Sequence, residues 1–164
     1  MKIALTTDHT GFEKLQQLQE FLSGLGHETV SYGPHEFDPA DDYPDFMFPA
    51  ARAVAEGTCE CAIIIGGSGQ GEAMCANRVK GVRCALYYGP TKAIEAIDAE
   101  GRSAQDKFEI LRLSRQHNHA NVLSLAARFL SQIDIEQAVR IWLEAPFSNA
   151  ERHERRVKKI DELS

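Results

Sequence analysis

Eight side chains of this chain are of types that move protons or hold anions, and they recur beside chain-turning residues: Asp8, His9, Ser68, Glu72, His117, Arg128, Arg152 and Arg156. His9 and His117 titrate near neutral pH, so each can accept a proton or, as a cation, hold an anion. Asp8-His9 can equally be read as a polar loop ahead of a helix. Glu72 closes the run Gly66-Gly67-Ser68-Gly69-Gln70-Gly71, which has four glycines in six positions. Such a loop lets the backbone turn sharply and aim amide N–H groups at a ligand. Its spacing is neither the Walker pattern nor a clean G-x-G-x-x-G, so nucleotide binding does not follow. Glu72 has two readings. In the first turn of a helix its carboxylate is favoured by the helix dipole, which lowers its pKa, whereas burial under a substrate raises it. Arg152 and Arg156 lie four apart and share a helix face, as do Arg155 and Lys159. Their forked guanidinium groups suit a phosphate dianion, although a solvated basic face has the same pattern. His117 and His119 flank Asn118, with no further Cys/His cluster to complete a metal site, so an acid/base role is favoured over metal.

The elements that must position these groups follow from the hydrophobic pattern. Lys2–Thr6 reads as a strand, and Thr10-Gly11-Phe12-Glu13 has the form of a capping box. The helix it opens carries Phe12, Leu15, Leu18, Leu22 and Leu25 on one face. His27–Tyr32 is a second strand. The loop from His35 to Asp45 is acidic. Asp42 is placed to cap a helix running to about Gly57, in which Pro49 should bend the helix or delay its start. Cys61-Ala62-Ile63-Ile64-Ile65 reads as a strand buried on both faces, followed by the glycine loop and a helix from Glu72 to Val79. Val82–Tyr88 is a fourth strand. Gly89–Leu113 is polar and helix-prone, and His117 falls in a loop beyond it. Asn121–Leu125 is the fifth strand, Asp134 is a cap for the next helix, and Asn149 for a last, basic one. Strands alternating with helices predict an α/β domain with a parallel sheet, whose ligands bind beyond the carboxyl ends of the strands.

The length of 164 residues suits one domain. A net charge of -6 argues against general nucleic-acid binding, which needs basic surface. No apolar run has the length of a membrane span, and the N-terminus starts a strand rather than a signal peptide. Cys59, Cys61, Cys75 and Cys84 fall in or beside core elements, without a Cys-x-x-Cys pair. Reduced structural thiols in a cytoplasmic protein are expected.

Taken together and in order, several blocks resemble the B-type ribose-5-phosphate isomerases and the related galactose-6-phosphate isomerase subunits. They are Asp8-His9-x-Gly11-Phe12, Asp42-Tyr43-Pro44-Asp45, Gly67-Ser68-Gly69-Gln70-Gly71, Ala76-Asn77-Arg78, Gly81-Val82-Arg83, Arg115-Gln116-His117-Asn118, Asn121-Val122-Leu123, and Arg152-His153 with Arg156. The resemblance implies a three-layer Rossmann-like domain with a five-stranded parallel sheet. It implies metal-free, cofactor-free aldose–ketose isomerisation of a sugar phosphate, with ribose 5-phosphate of the pentose phosphate pathway as the default substrate. It also implies a homodimer or dimer of dimers with shared sites, in which His117, Asn118 and Arg128 come from the neighbour of the chain supplying the glycine loop. By the same matching, His9, Arg152 and Arg156, helped by Arg128, hold the phosphate. Asp8 and His117 open the sugar ring, and Tyr43 lines the site. Ser68 and the amides of Gly67, Gly69 and Gly71 stabilise an enediolate.

Two departures stand out. Many members carry a catalytic cysteine where this chain has Gly66; another branch lacks the thiol and uses a glutamate just after the loop, which here is Glu72. The chain also carries an insertion at about 89–113 relative to compact members, adjoining the segment that delivers His117. Other readings are a tetrose or hexose phosphate as substrate, a sugar-phosphate-binding protein without turnover, or one subunit of a heteromeric enzyme.

Overall fold

In the computed structural model, which describes residues 1–163, five parallel strands form one sheet in the order β2-β1-β3-β5-β4. The strands are β1 (Lys2–Thr7), β2 (Glu28–Ser31), β3 (Cys61–Gly66), β4 (Cys84–Tyr87) and β5 (Val122–Ala126). The helices are α1 (Phe12–Gly24), α2 (Pro44–Ala55), α3 (Gln70–Ala76), α4 (Glu109–Asn118), α5 (Gln132–Glu144) and α6 (Glu151–Leu163). The three-layer, Rossmann-like arrangement expected from the sequence is present. Parallel strands need crossovers, and each crossover lays a helix over a sheet face.

The two faces follow from the period-2 alternation of side chains along a strand. Ile3, Leu5, Ile63, Ile65, Leu123 and Leu125 point to one face, where Leu15, Leu18 and Leu22 of α1 and Ile135, Val139 and Trp142 of α5 cover them. Ala4, Ala62, Ile64 and Val122 point to the other, under Met47, Ala50, Ala51 and Val54 of α2. Alanines on both sides of that second contact keep its side-chain volume small. The central strands β3 and β5 are buried along their whole length, as a double-sided cover requires.

Local chemistry moves several boundaries. Asp8, rather than Thr10, does the capping at the start of the α1 region: its carboxylate accepts from the Thr10 amide over a single 3-10 turn, His9–Gly11, and α1 follows without a side-chain cap. Asp42 does not cap α2. Tyr43 takes that place in a helical conformation, with Pro44 at the first position, where its missing N–H costs nothing. The helix then runs through Pro49 without a delayed start. α5 is capped by Ser131, and Asp134 is the reciprocal partner three residues on. Asn149 adopts a left-handed φ of 52°, and it is the Ser148 hydroxyl that accepts from the Ala150 amide.

The segment expected to be helix-prone, 89–113, is irregular as far as residue 108, and helix begins only at Glu109. Asp106 helps to set that start by accepting from the Phe108 amide at 2.8 Å and from both terminal nitrogens of Arg112, each at 2.8 Å. His117 is consequently on a helix and not in a loop. Among the described residues no helix is long and apolar enough to cross a membrane.

Truncating a side chain in the thicker layer tests this packing. Leu18→Ala, at a fully buried position, should cost about 2–5 kcal/mol of stability, read as a lower urea midpoint with unchanged slope.

Candidate active site

The segments beyond the carboxyl ends of β1, β3 and β5 gather Asp8, His9, Ser68, Glu72 and Arg128 at one edge of the sheet. Main-chain bonds hold the glycine loop there: the Gly66 carbonyl accepts from the Ala127 amide at 2.8 Å and that of Gly67 from the Arg128 amide at 3.1 Å. Ser124 donates its hydroxyl to the Gly69 carbonyl at 2.7 Å. Gly69 has a left-handed φ of 72°, and a Cβ there would also lie 2.7 Å from Leu86 Cδ1. Glycine is required at that position twice over.

Glu72 is 5 % exposed. A Cβ built on Gly66 would lie 2.0 Å from its carboxyl carbon and 2.0 Å from Oε1. The carboxyl group of Glu72 therefore sits in the space that any side chain at position 66 would enter. Burial pushes its pKa above the ordinary carboxylate value of 4.5. The Glu72 amide opposes this, and the negative charge of Asp8 adds to it. The competition between helix terminus and burial is decided for burial; α3 has only seven residues, so few peptide dipoles oppose it.

Asp8 is 4 % exposed, and its Oδ1 accepts from the amide of Thr10 at 2.9 Å and from the Thr10 hydroxyl. His9 Nδ1 lies 2.6 Å from Asp41 Oδ1, and the His9 amide donates to Asp41 Oδ2 at 3.0 Å. Asp41 was not singled out from the sequence, because an acidic loop 32 residues away carries no signal of its target. The hydrogen bond to Asp41 raises the His9 pKa, against a smaller opposing effect of burial. Asp8, His9 and Asp41 bring ligand atoms within 4.8 Å of one another, a geometry open to a cation. The nearest atoms of His9 and Asp41 already satisfy each other, so an ion would have to displace that bond.

Arg128 corrects one expectation. Its amide binds the Gly67 carbonyl of its own chain, and a Cβ on Gly67 would lie 3.4 Å from its Nε. It therefore sits on the glycine loop of the same chain and is not supplied by a neighbour. Tyr43 also reaches the loop: a Cβ on Gly71 would meet its hydroxyl at 2.7 Å. Gly71 and Tyr43 form one wall of a cleft of 870 Å³ lined further by Phe48, Met74, Leu86 and Tyr88. Asp8, His9 and Glu72 do not line that cleft.

His117, Asn118, Arg152 and Arg156 lie elsewhere. α4 ends four residues before Val122, which pairs with Ala62 at the start of β3, while Gly66 pairs with Ala126 at the other end. Four residues of strand separate the two edges by about 13 Å. At the far edge the His117 ring packs on that of His153, centroids 4.1 Å apart. Burial, and after it the neighbouring His153, Arg102 and Arg152, lower the His117 pKa. His153 is buried, and its Nε2 accepts from Arg152 Nε at 3.1 Å while Nδ1 meets the Ser148 hydroxyl at 2.7 Å. Sequence reasoning gave His153 no role, since only the packing of α6 on α4 brings it to His117. The candidate residues of one chain thus fall into two groups on opposite edges of its sheet.

The family model described as Ribose/Galactose Isomerase matches residues 3–101 and 103–160. Residues 89–113 lie within the matched segments except for residue 102. Ribose-5-phosphate isomerase B of Mycolicibacterium paratuberculosis is 32% identical over 162 residues, covering 99% of this chain and 91% of that protein. The Clostridium thermocellum ribose-5-phosphate isomerase B structure superimposes with a TM-score of 0.84 at 34% identity, covering 99% of this chain and 97% of that one. That of Mycoplasma genitalium with bound ribulose-5-phosphate also gives 0.84 at 34% identity, covering 99% and 95%.

Two predictions follow from this geometry. Gly66→Ala should drive the Glu72 carboxyl from its position, with a larger fall in turnover than in melting temperature. Asp41→Asn should lower the His9 pKa, read by NMR titration of the ring. With the native pair, the bond to Asp41 favours the folded state fully below the unfolded histidine value of 6.5. That contribution is lost as pH rises through the raised folded value, so the variant should lose stability mainly on the acid side. The matched segments and the relatives covering nearly the whole chain place it in the ribose/galactose isomerase family, as an aldose–ketose isomerase.

Proposed function

We propose that the chain isomerises a sugar phosphate, ribose 5-phosphate to ribulose 5-phosphate, through a cis-enediolate with Glu72 as the base. The observation that carries this reading is the Glu72 carboxyl, buried, raised in pKa and seated in the space beside Gly66. A carboxylate raised in pKa is a better base than an exposed one, and proton transfer is most efficient when the catalytic pKa approaches the working pH. The names of the relatives, including the one with bound ribulose-5-phosphate, support the choice of sugar.

The steps can be assigned to residues. His117 and Asp8 shuttle the proton that moves between the ring oxygen and O1 as the furanose opens. Glu72 then takes the proton from C2. The electron pair of that C–H bond forms the C1–C2 double bond, and the former aldehyde oxygen gains negative charge. Ser68 and the amides of Gly67, Gly69 and Gly71 face this charge. Dipoles fixed before the reaction stabilise it without reorganising. Glu72 returns the proton to C1, and the proton of the C2 hydroxyl passes to the negatively charged O1, so that C2 becomes the ketone carbon and C1 carries a neutral hydroxyl. Asn118 and Tyr43 hold the sugar. No metal or redox partner is needed to balance these steps.

The phosphate is held by His9 and Arg128 from one chain and by Arg152 and Arg156 from a second copy. Division of the charged residues between two sheet edges supports a shared site, because His117 cannot serve the Glu72 of its own chain across about four strand residues, or ~13 Å. The exposed apolar residues beside the loop, Met74, Tyr88 and Phe129, support docking of that second copy there.

Three outcomes test this. Glu72→Gln should lower turnover about 10²–10⁴-fold with substrate still bound and should abolish exchange of the C2 proton with deuterated water. The acid limb of the native kcat/KM profile should fall above 4.5, because the folded pKa of the base is raised. Mixing inactive Glu72→Gln and His117→Ala chains should restore about a quarter of native activity if two-fold dimers share their sites. No recovery on mixing would place both residues in one chain's site.

A further inference from the structure

Arg152 has its three sets of donors divided between two partners. Its Nε is turned onto His153, which is buried and itself held by Ser148. That anchor fixes the plane of the guanidinium and leaves its two terminal nitrogens as an outward fork. Both terminal nitrogens are taken by the carboxylate of Glu100, one to each oxygen, the Nη2 to Oε2 distance being 2.7 Å. Two parallel bonds to two oxygens are the arrangement with which arginine also grips a phosphate.

Glu100 comes from the irregular segment ahead of α4, and the backbone around it is built. Asp98 Oδ1 accepts from the amides of Glu100 at 3.1 Å and Arg102 at 3.0 Å, and the Ile97 amide donates to the Arg102 carbonyl at 2.8 Å. The Arg102 side chain closes the turn on Asp98 Oδ2. The turn is held by its own bonds, while the Glu100 side chain remains 58% exposed.

We infer that Glu100 occupies the phosphate seat of Arg152 in the unliganded protein, so that a sugar phosphate binds there by exchanging its phosphate for this carboxylate. The inference rests on the reading of Arg152 as a phosphate ligand. Exposure makes the exchange easy, because an exposed ion pair is weak. A phosphate ester carries about −1.5 to −2 charge at pH 7 and three acceptor oxygens, so it outcompetes a single carboxylate. A ligand with one negative charge has no such advantage. Glu100 thereby acts as a specificity-determining residue: it discriminates against monoanionic sugar acids and raises the concentration at which phosphate esters fill the site. It also keeps Arg152 oriented on His153 between turnovers.

The test uses the full-length protein and inorganic phosphate as the probe, by calorimetry at fixed pH and ionic strength. Glu100→Gln is isosteric and removes the competing charge. It should bind phosphate about two- to fivefold more tightly, as the loss of one exposed pair predicts. The KM for ribose 5-phosphate should fall by a similar factor, with kcat moving less, because uniform binding changes KM first. Arg152→Ala should weaken phosphate binding at least tenfold. Unchanged or weaker phosphate binding in Glu100→Gln, with Arg152→Ala still weakened, would overturn the exchange and leave the isomerase reading intact. Phosphate affinity that is indifferent to Arg152→Ala would overturn both the exchange and the phosphate role of Arg152.

Discussion

The contact between Gly66 and the Glu72 carboxyl is the constraint on which the site is built. A buried carboxyl needs room that a packed interior does not ordinarily leave, and here the room is the missing side chain at the end of the central strand. Any residue larger than glycine at 66 would meet the carboxyl at 2.0 Å. Burial in that position raises its pKa. One position therefore explains how a carboxyl group can be seated beside the loop, where the proposed enzyme uses it as a base.

The parallel sheet supplies the rest of the geometry. All strands point the same way, so the loops after β1, β3 and β5 meet at one edge, and the ends of α4 and α6 meet at the other. Main-chain bonds from Ala127 and Arg128 pin the glycine loop to β5, which keeps its amides in place without help from a ligand. In the proposed enzyme each chain carries Glu72 on one edge of its sheet and His117 with Arg152 on the other. A symmetric pair would bring unlike halves together twice, and this makes association part of the chemistry in the proposed enzyme.

Charge is distributed with the same economy. On the glycine-loop edge Asp41 raises the His9 pKa, favouring a cation where phosphate is expected. On the opposite edge Arg102 and Arg152 add to burial in lowering the His117 pKa. Two histidines of one chain are tuned in opposite directions, one towards holding an anion and one towards accepting a proton. The Glu100 carboxylate pairs with Arg152, whose Nε is anchored on His153.

The five strands, their parallel arrangement and the glycine loop were legible in the sequence because apolar runs and chain-turning residues act locally. The family blocks singled out Asp8, His9, Glu72, Arg152 and Arg156 without any knowledge of distance. Helix boundaries were less legible where competing side chains decide the cap, as with Asp8 over Thr10 and Ser131 over Asp134. The irregular stretch before Glu109 was misread because composition reports propensity, and Asp98 and Asp106 hold those turns by side-chain bonds. Glu72 at the end of its loop had two opposed readings from sequence, a dipole that lowers its pKa and a burial that raises it. Only the tertiary structure decided between them, since the carboxyl is buried in the space beside Gly66 on another element, and the charge of Asp8 from the β1 end adds to the rise. The partners Asp41, Glu100 and His153 belong to the same class: each acts on a group brought to it by folding, and no local pattern in the sequence encodes that approach.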